Sequence, residues 1–472
     1  MANVLTNNSK AVQVNLDYAI PEATVQGTPI GSIYAFLGQE DPWPFVNNVE
    51  TPAQPEDTQS YFKKTFRNMF AAKKILSSNI SPVIQRIDWT TNTVYEEYSD
   101  TVNMNEKDQN GLLINHFYVV NRYDQVFKCL SNNMGAVSTS EPYFQPGSYG
   151  TNNIYQGADL YKWKFMYTID GGSKRTFMDS DWMPVPVGNF VSQPYGTTAG
   201  YGDIEVINVT NGGSGYDAVN THIVVSVTGD GQGAVANITP TQIVGGVIQD
   251  IVVQAGNSGN NYTYANVSIT AYTSANMAYI SSTGSGATAI APISPVGGHG
   301  YDPFSELACS NVMFSVDFNG TENGVIPTSG VDYRQVGLLA SPVVVGSDGT
   351  PTLATGSIYN TALQLSLFVN AGATFASDEV VRQYDTNGNV VFQGTVLNFN
   401  STNSILQLIN TTGTYQINQT IRGLTSGAFG TVSNVSTPTL IPFSGYILYI
   451  ENRVGVQRSD DGIEQFKFVL GF

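Results

Sequence analysis

Ile204-Glu-Val-Ile207-Asn-Val209-Thr-Asn-Gly212-Gly-Ser214-Gly215 returns later in the chain as Ile248-Gln-Asp-Ile251-Val-Val253-Gln-Ala-Gly256-Asn-Ser258-Gly259. Apolar residues at matching places, each time closed by Gly-x-Ser-Gly, mark an internal repeat. An apolar run that ends in glycines is what a strand and a tight turn need, because glycine takes backbone angles that other residues resist. Each copy continues into another strand, Ile223 to Thr228 and then Val267 to Thr270, and reaches a small-residue run, Gly231-x-Gly233-Ala234 and Gly284-x-Gly286-Ala287. The region reads as a β-repeat module.

Outward from the repeat the chain is poor in charge. No Lys or Arg occurs between Arg175 and Arg334. A second light module spans about 346–437, with strands at Val390 to Phe399, Ile405 to Ile409 and Thr420-Ile421 and a turn at Thr425-Ser426-Gly427-Ala428. Its size and short, spaced strands predict a small barrel or sandwich. Asn387-Gly388, between Val380-Val381 and Val390-Val391, predicts a two-residue type I′ hairpin. Asp385-x-Asn387-x-Asn389 has part of a calcium-loop pattern but lacks its Gly and terminal Glu, so the hairpin reading prevails.

Before the repeat, Phe117 to Val120, Val126 to Leu130 and Lys162 to Thr168 read as strands bounded by turn residues. One helix is expected over 60–76, capped by Asp57 or Ser60. Phe62, Phe66, Met69, Ile75 and Leu76 would pack, and Lys63, Lys64, Arg67, Lys73 and Lys74 would form a basic face. That face reads either as a solvated surface or as a docking surface for an acidic partner or for the protein's own acidic body.

The 472 residues carry 20 Lys+Arg against 37 Asp+Glu, a net charge of −17, and only 12% are charged. That is about half the usual share. With 26 Tyr and 23 Phe the chain is not of the disordered class. Length predicts about three domains at roughly 150 residues each. The acidic balance argues against binding phosphate backbones, so no nucleic-acid partner is expected. No run of apolar residues reaches membrane-spanning length, and Met1 to Lys10 is polar, unlike a secretory signal, so no membrane partner is expected either. Cys129 and Cys309 stand far apart, which predicts no disulfide framework and fits synthesis in a reducing cytoplasm. The sequons at Asn208, Asn237, Asn410 and Asn434 read as by-products of an Asn/Thr-rich composition.

Catalytic signatures are missing from the sequence: no nucleophile elbow, no phosphate loop with its Lys, no HExxH. His116, His222 and His299 are dispersed, and Gly212-Gly213-Ser214-Gly215 lacks the helix and lysine of a phosphate-cradling loop. The paired acids Glu96-Glu97 and Asp460-Asp461 cannot form a glycosidase-like site locally, because neighbours on a strand point to opposite faces. The expectation is no enzyme, no cofactor and no metal.

At Ile33-Tyr-Ala-Phe-Leu-Gly38-Gln-Glu40-Asp-Pro42-Trp43 the chain resembles the dimeric baseplate wedge subunit of T-even-type contractile-tailed bacteriophages. Further stretches resemble that family in the same order. They are Arg86-Ile-Asp88-Trp89, Val126-Phe-Lys-Cys129-Leu130, Leu160-Tyr161-Lys-Trp163-Lys-Phe165-Met-Tyr167, Tyr333-Arg334-Gln335-Val336, and Tyr449-Ile-Glu451-Asn452-Arg453 with Glu464-Gln-Phe466-Lys-Phe468. The resemblance covers about 1–200, 301–345 and 438–472. It implies a mostly β fold, a β-sandwich core with a few helices; the stretches between, 201–300 and 346–437, depart from the family pattern and read as two inserted small β domains. It also implies a homodimer located in the virion tail baseplate. Its partners there would be other wedge subunits, and it would help assemble the baseplate and let it rearrange during contraction. The residues Pro42, Trp43, Arg86, Asp88, Trp89, Trp163, Arg334, Gln335, Glu451, Asn452 and Arg453 are the fingerprint, with structural or interface roles. A different class of function, a receptor- or glycan-binding tail component, is motivated by the Asn/Thr/Gly-rich modules and by exposed-looking tyrosines such as Tyr216, Tyr262 and Tyr264. A depolymerase is the third reading.

Overall fold

The strand Asp332–Ala340 is the spine of the largest open sheet, and every one of its side chains from Tyr333 to Ala340 is buried. The computed structural model describes residues 2–5, 24–25, 28–29, 32–39, 41–109, 111–145, 153–187, 202–219, 222–272, 284–370 and 372–471. Glu40, most of Met1 to Lys10 and the boundary expected at 200/201 lie outside them. The protein is mostly β, with 48% of the described residues in strands against 7% in helices, as a composition rich in β-branched and aromatic residues predicts. Chain contacts separate two units, Met1–Asn79 with Ser315–Lys467, and Ile80–Phe314 with Phe468–Phe472.

In the first unit an antiparallel sheet of six strands runs in the order Ala2–Leu5, Tyr446–Gln457, Asp332–Ala340, Ile33–Gly38, Met69–Lys74, Ile358–Asn360. Its central strands read as continuous apolar runs because both faces are covered. Tyr34, Phe36, Leu339, Ile447 and Ile450 form one core cluster with Phe62 of the helix.

That helix is shorter than its periodicity predicts. It spans Gln59–Asn68, capped by neither Asp57 nor Ser60 but by Thr58, whose Oγ1 accepts from the Tyr61 amide at 3.2 Å. Met69–Lys74 is a strand, pairing Phe36 with Ala72 and Leu37 with Ala71. Backbone bonds to strands distant in sequence outweigh a helical pattern there, since packing overrides propensity. Ile75 is buried and Leu76 exposed, both beyond the strand.

The same unit holds a closed antiparallel barrel in the order Leu363–Val369, Ile405–Gly413, Val390–Asn400, Val380–Tyr384, Thr420–Gly423, Phe429–Ser436. Leu363, Leu365 and Leu367 point inward, and Gln364 and Ser366 between them are half-buried, the alternation a barrel wall requires. The hairpin at Asn387-Gly388 forms, but not with a two-residue turn. Asp385 and Asn389 pair through their backbones, leaving a three-residue loop in which only Gly388 has positive φ, +83°. Asp385 Oδ1 accepts from the amides of Asn387 and Asn389, both 2.8 Å. That side chain builds the turn from within and accounts for the calcium-like spacing.

In the second unit, four strands run in the order Ile154–Gln156, Lys162–Thr168, Gln125–Ser131, Tyr118–Val120, in agreement with the three strands read from sequence. Trp163, Phe117, Phe127 and Tyr161 are fully buried in their core. The repeat pairs by exchange. Asn208–Ser214 of the first copy pairs with Ser285–Ile290 of the second, and Val252–Asn260 of the second pairs with Gln232–Asn237 of the first. The middle strands, His222–Gly229 and Ala265–Tyr272, pair with each other. Ile207 and Ile251, equivalent in the repeat, meet in an antiparallel bridge. The two copies are therefore related by an approximate twofold, and neither satisfies its backbone alone.

Candidate functional site

The fingerprint positions of the first unit gather at one end of the six-stranded sheet. Gln335 and Asn452 are opposite in the ladder, both fully buried, and Gln335 Nε2 donates to Asn452 Oδ1 at 2.8 Å. Asn452 Nδ2 donates to the Tyr61 hydroxyl at 2.6 Å and to the Ala53 carbonyl at 2.8 Å, tying the sheet to the helix. Trp43 is buried, and its indole Nε1 donates to the Arg453 carbonyl at 2.9 Å. Arg453 lies 3.4 Å from Glu451 and over the Phe466 ring. Pro42 is exposed.

Arg334 is buried between two carboxylates, Asp332 on its own strand and Asp378 at the mouth of the barrel, 3.1 Å away. Gln39 Nε2 donates to both acids, 2.8 and 2.7 Å. Burial pushes the Asp332 carboxyl upward and Asp378 adds to it, while Arg334 opposes them. Next to Asp378, Glu379 turns the other way and accepts from the amides of Ala376, Thr425 and Ser426. Gly423 is required there, because a Cβ would lie 2.5 Å from the Glu379 carboxylate.

In the second unit the remaining fingerprint residues are dispersed. Arg86 and Asp88 pair at 3.1 Å with Asp88 exposed. Trp89 is half-buried and donates to Ser138 Oγ at 3.1 Å. Trp163 is fully buried, stacked on Tyr161 and edge-on to Tyr95.

Around Trp163 lies a charge cluster that sequence reading missed. Lys162 and Lys164 flank it on the strand, and Lys128 stands on the neighbouring one; all three are buried. Lys164 pairs with Glu205 at 2.7 Å, and Lys162 pairs with Asp250 at 2.6 Å while donating to the Ile251 carbonyl at 2.9 Å. Lys128 pairs with Glu306 at 3.0 Å, donates to His299 Nδ1 at 3.1 Å and sits 4.0 Å above the Tyr98 ring. Its ammonium protons thus have an acid, an imidazole and a π face as partners. His299 must be neutral to accept, and burial, then the Lys128 charge, hold its pKa below the ordinary value. Burial alone would raise Glu306, but the adjacent Lys128 charge brings it below its ordinary value.

Glu205 and Asp250 belong to the cation-free repeat module, and its cations come from the strand Lys162–Thr168. The signal lay in that composition: a module with acids and no bases must find its counter-ions elsewhere when its acids are buried. Asn208 is likewise buried, its side chain donating to the Leu130 carbonyl at 2.8 Å. His116 and His222 are exposed. Cys129 and Cys309 are both free thiols. Among the described residues no group of three or more His, Cys, Asp or Glu could hold a metal ion, and no helix is long and apolar enough to cross a membrane.

Two of the three tyrosines that suggested a sugar platform are not exposed. Tyr216 and Tyr262 are each 4% accessible. Each covers a glycine of the opposite copy, Gly284 and Gly231, and its hydroxyl accepts from the Ala287 or Ala234 amide. The missing glycine Cβ makes room for the ring. The third, Tyr264, is exposed. A cleft of about 390 Å³ on the module is lined by Gln232, Asn257, Ser258, Asn260 and glycines, without an aromatic.

No protein-family model matches this chain, and no curated protein matches it.

Proposed function

We propose that this chain is a structural virion protein, a baseplate wedge subunit of a contractile phage tail. In this reading it forms a homodimer, binds other wedge subunits, performs no catalysis and takes part in baseplate assembly and rearrangement. The observation that carries the reading is the convergence of Trp43, Gln335, Asn452 and Arg453 at one sheet end. Residues far apart in sequence that carry the resemblance act there as one hydrogen-bonded unit. Rearrangement asks for interfaces whose alternative arrangements differ by little free energy. The charge clusters support it too, since their charged side chains are paired within the fold. Gold-labelled antibody against this chain, applied to intact tails in the electron microscope, tests it. Label at the baseplate is the expected result; label confined to distal fibres or the capsid would overturn it.

A further inference from the structure

The helix Gln59–Asn68 exposes Lys63, Lys64 and Arg67 and contains no acid; Glu56 and Asp57 lie just before it. Lys63 and Arg67 are one turn apart and share a face. Beside this ridge opens a mainly apolar pocket of about 50 Å³, walled by Phe66, Met69, Leu339, Pro342, Leu440 and Ile441, with Thr361 and Ser444 also on its lining. That volume holds about four waters, the space of a branched aliphatic side chain. Phe443, between the lining residues Pro442 and Ser444, has φ +63°, a backbone angle bulky residues rarely take, and is 46% exposed. The ring meets Phe66 edge-on, and the Arg67 guanidinium lies 5.8 Å from its centroid. An aromatic lip, an apolar pocket and a basic ridge thus adjoin one another.

We propose that this surface docks an acidic segment of another protein, which places one aliphatic side chain in the pocket and its carboxylates along Lys63 and Arg67. Charge complementarity selects that occupant: in a chain of net charge −17 the ridge is a local exception. Screening over about 8 Å at physiological salt makes the ridge, rather than the net charge, govern docking. A second copy is disfavoured because pocket and acidic segment would be different patches, a head-to-tail contact that propagates instead of closing. The inference stands independently of the wedge-subunit reading.

The test is fluorescence anisotropy on the full chain at physiological salt, with a labelled Glu-Asp-Glu-Leu-Asp-Glu-Asp peptide. Saturable binding is expected, weakened about tenfold or more by replacing the peptide leucine with serine, and likewise by the Lys63→Glu/Arg67→Glu variant. Both changes matter: the peptide series reads the pocket on wild-type protein even if the variant folds poorly. Equal binding of leucine and serine peptides, or no binding, would overturn the proposal. So would a concentration-dependent self-association in sedimentation that the double variant abolishes, since a second copy would then be the occupant.

Discussion

Lys164 and Glu205 face each other inside the protein, Nζ to Oε2 at 2.7 Å, with side chains only 3% and 2% exposed. One comes from a strand of the aromatic core, the other from the repeat module that has no cation of its own. Removing either partner leaves an unpaired buried charge, so Lys164→Met or Glu205→Leu should each cost about 3–5 kcal/mol in denaturant unfolding. The double variant should recover much of that loss, giving a large coupling energy in the cycle. Additive losses would show that the pair is not coupled.

Asp203 carries a pH signature. Burial, and then the charge of Glu205, raise its pKa to about 6. A carboxyl with a raised folded pKa holds its proton more tightly in the folded state. Its contribution is complete below about pH 4 and is lost as pH rises through about 6. Asp203→Asn stays neutral throughout. Above pH 6 it should be more stable than wild type by about 1–2 kcal/mol, allowing for solvent screening, and the difference should vanish below about pH 4. Unfolding midpoints across that range check it.

Arg334 should show the opposite dependence on its acids. Arg334→Met leaves Asp332 and Asp378 facing one another, and a loss of about 2–4 kcal/mol is expected at pH 7.5. The loss should shrink as pH falls, because burial already raises the Asp332 carboxyl and removing Arg334 takes away the charge that opposes it. Arg334→Lys should lose less than Met but more than nothing, because one ammonium cannot span both carboxylates as the guanidinium fork does.

The approximate twofold of the repeat predicts matched effects. Gly284→Ala would put a Cβ 2.5 Å from the Tyr216 ring, and Gly231→Ala one 2.4 Å from Tyr262. Each should cost about 2–4 kcal/mol, with strain at Gly284's φ of +90° adding to the first. Tyr216→Phe and Tyr262→Phe should each cost about 0.5–1.5 kcal/mol for one lost acceptor. Thermal melts showing one member of a pair neutral would deny the equivalence.

The repeat was legible because its apolar and glycine positions recur, and the strand at 162–168 because it alternates with aromatics between turn residues. What escaped was partnership across sequence distance. Nothing local in Lys162-Trp-Lys164 says that its lysines meet Asp250 and Glu205, and a strand covered on both faces hides charge where alternation would expose it. Met69 to Lys74 read as helix because Phe66, Met69, Ile75 and Leu76 approximate a helical stripe; the partner strand Ile33–Gly38 decides otherwise. Tyr216 and Tyr262 read as surface because they sit among Gly and Asn, yet those glycines are small precisely where a ring must fit. The fingerprint end of the sheet was legible as separate motifs, whereas the hydrogen bonds joining Gln335, Asn452 and Tyr61 required the register.

A cryo-EM reconstruction of an intact contractile tail containing this chain tests the central claim most directly. The account predicts density for this fold as a dimer within each baseplate wedge, in contact with other wedge subunits. Finding the chain only at fibre tips, or absent from the particle, would contradict it.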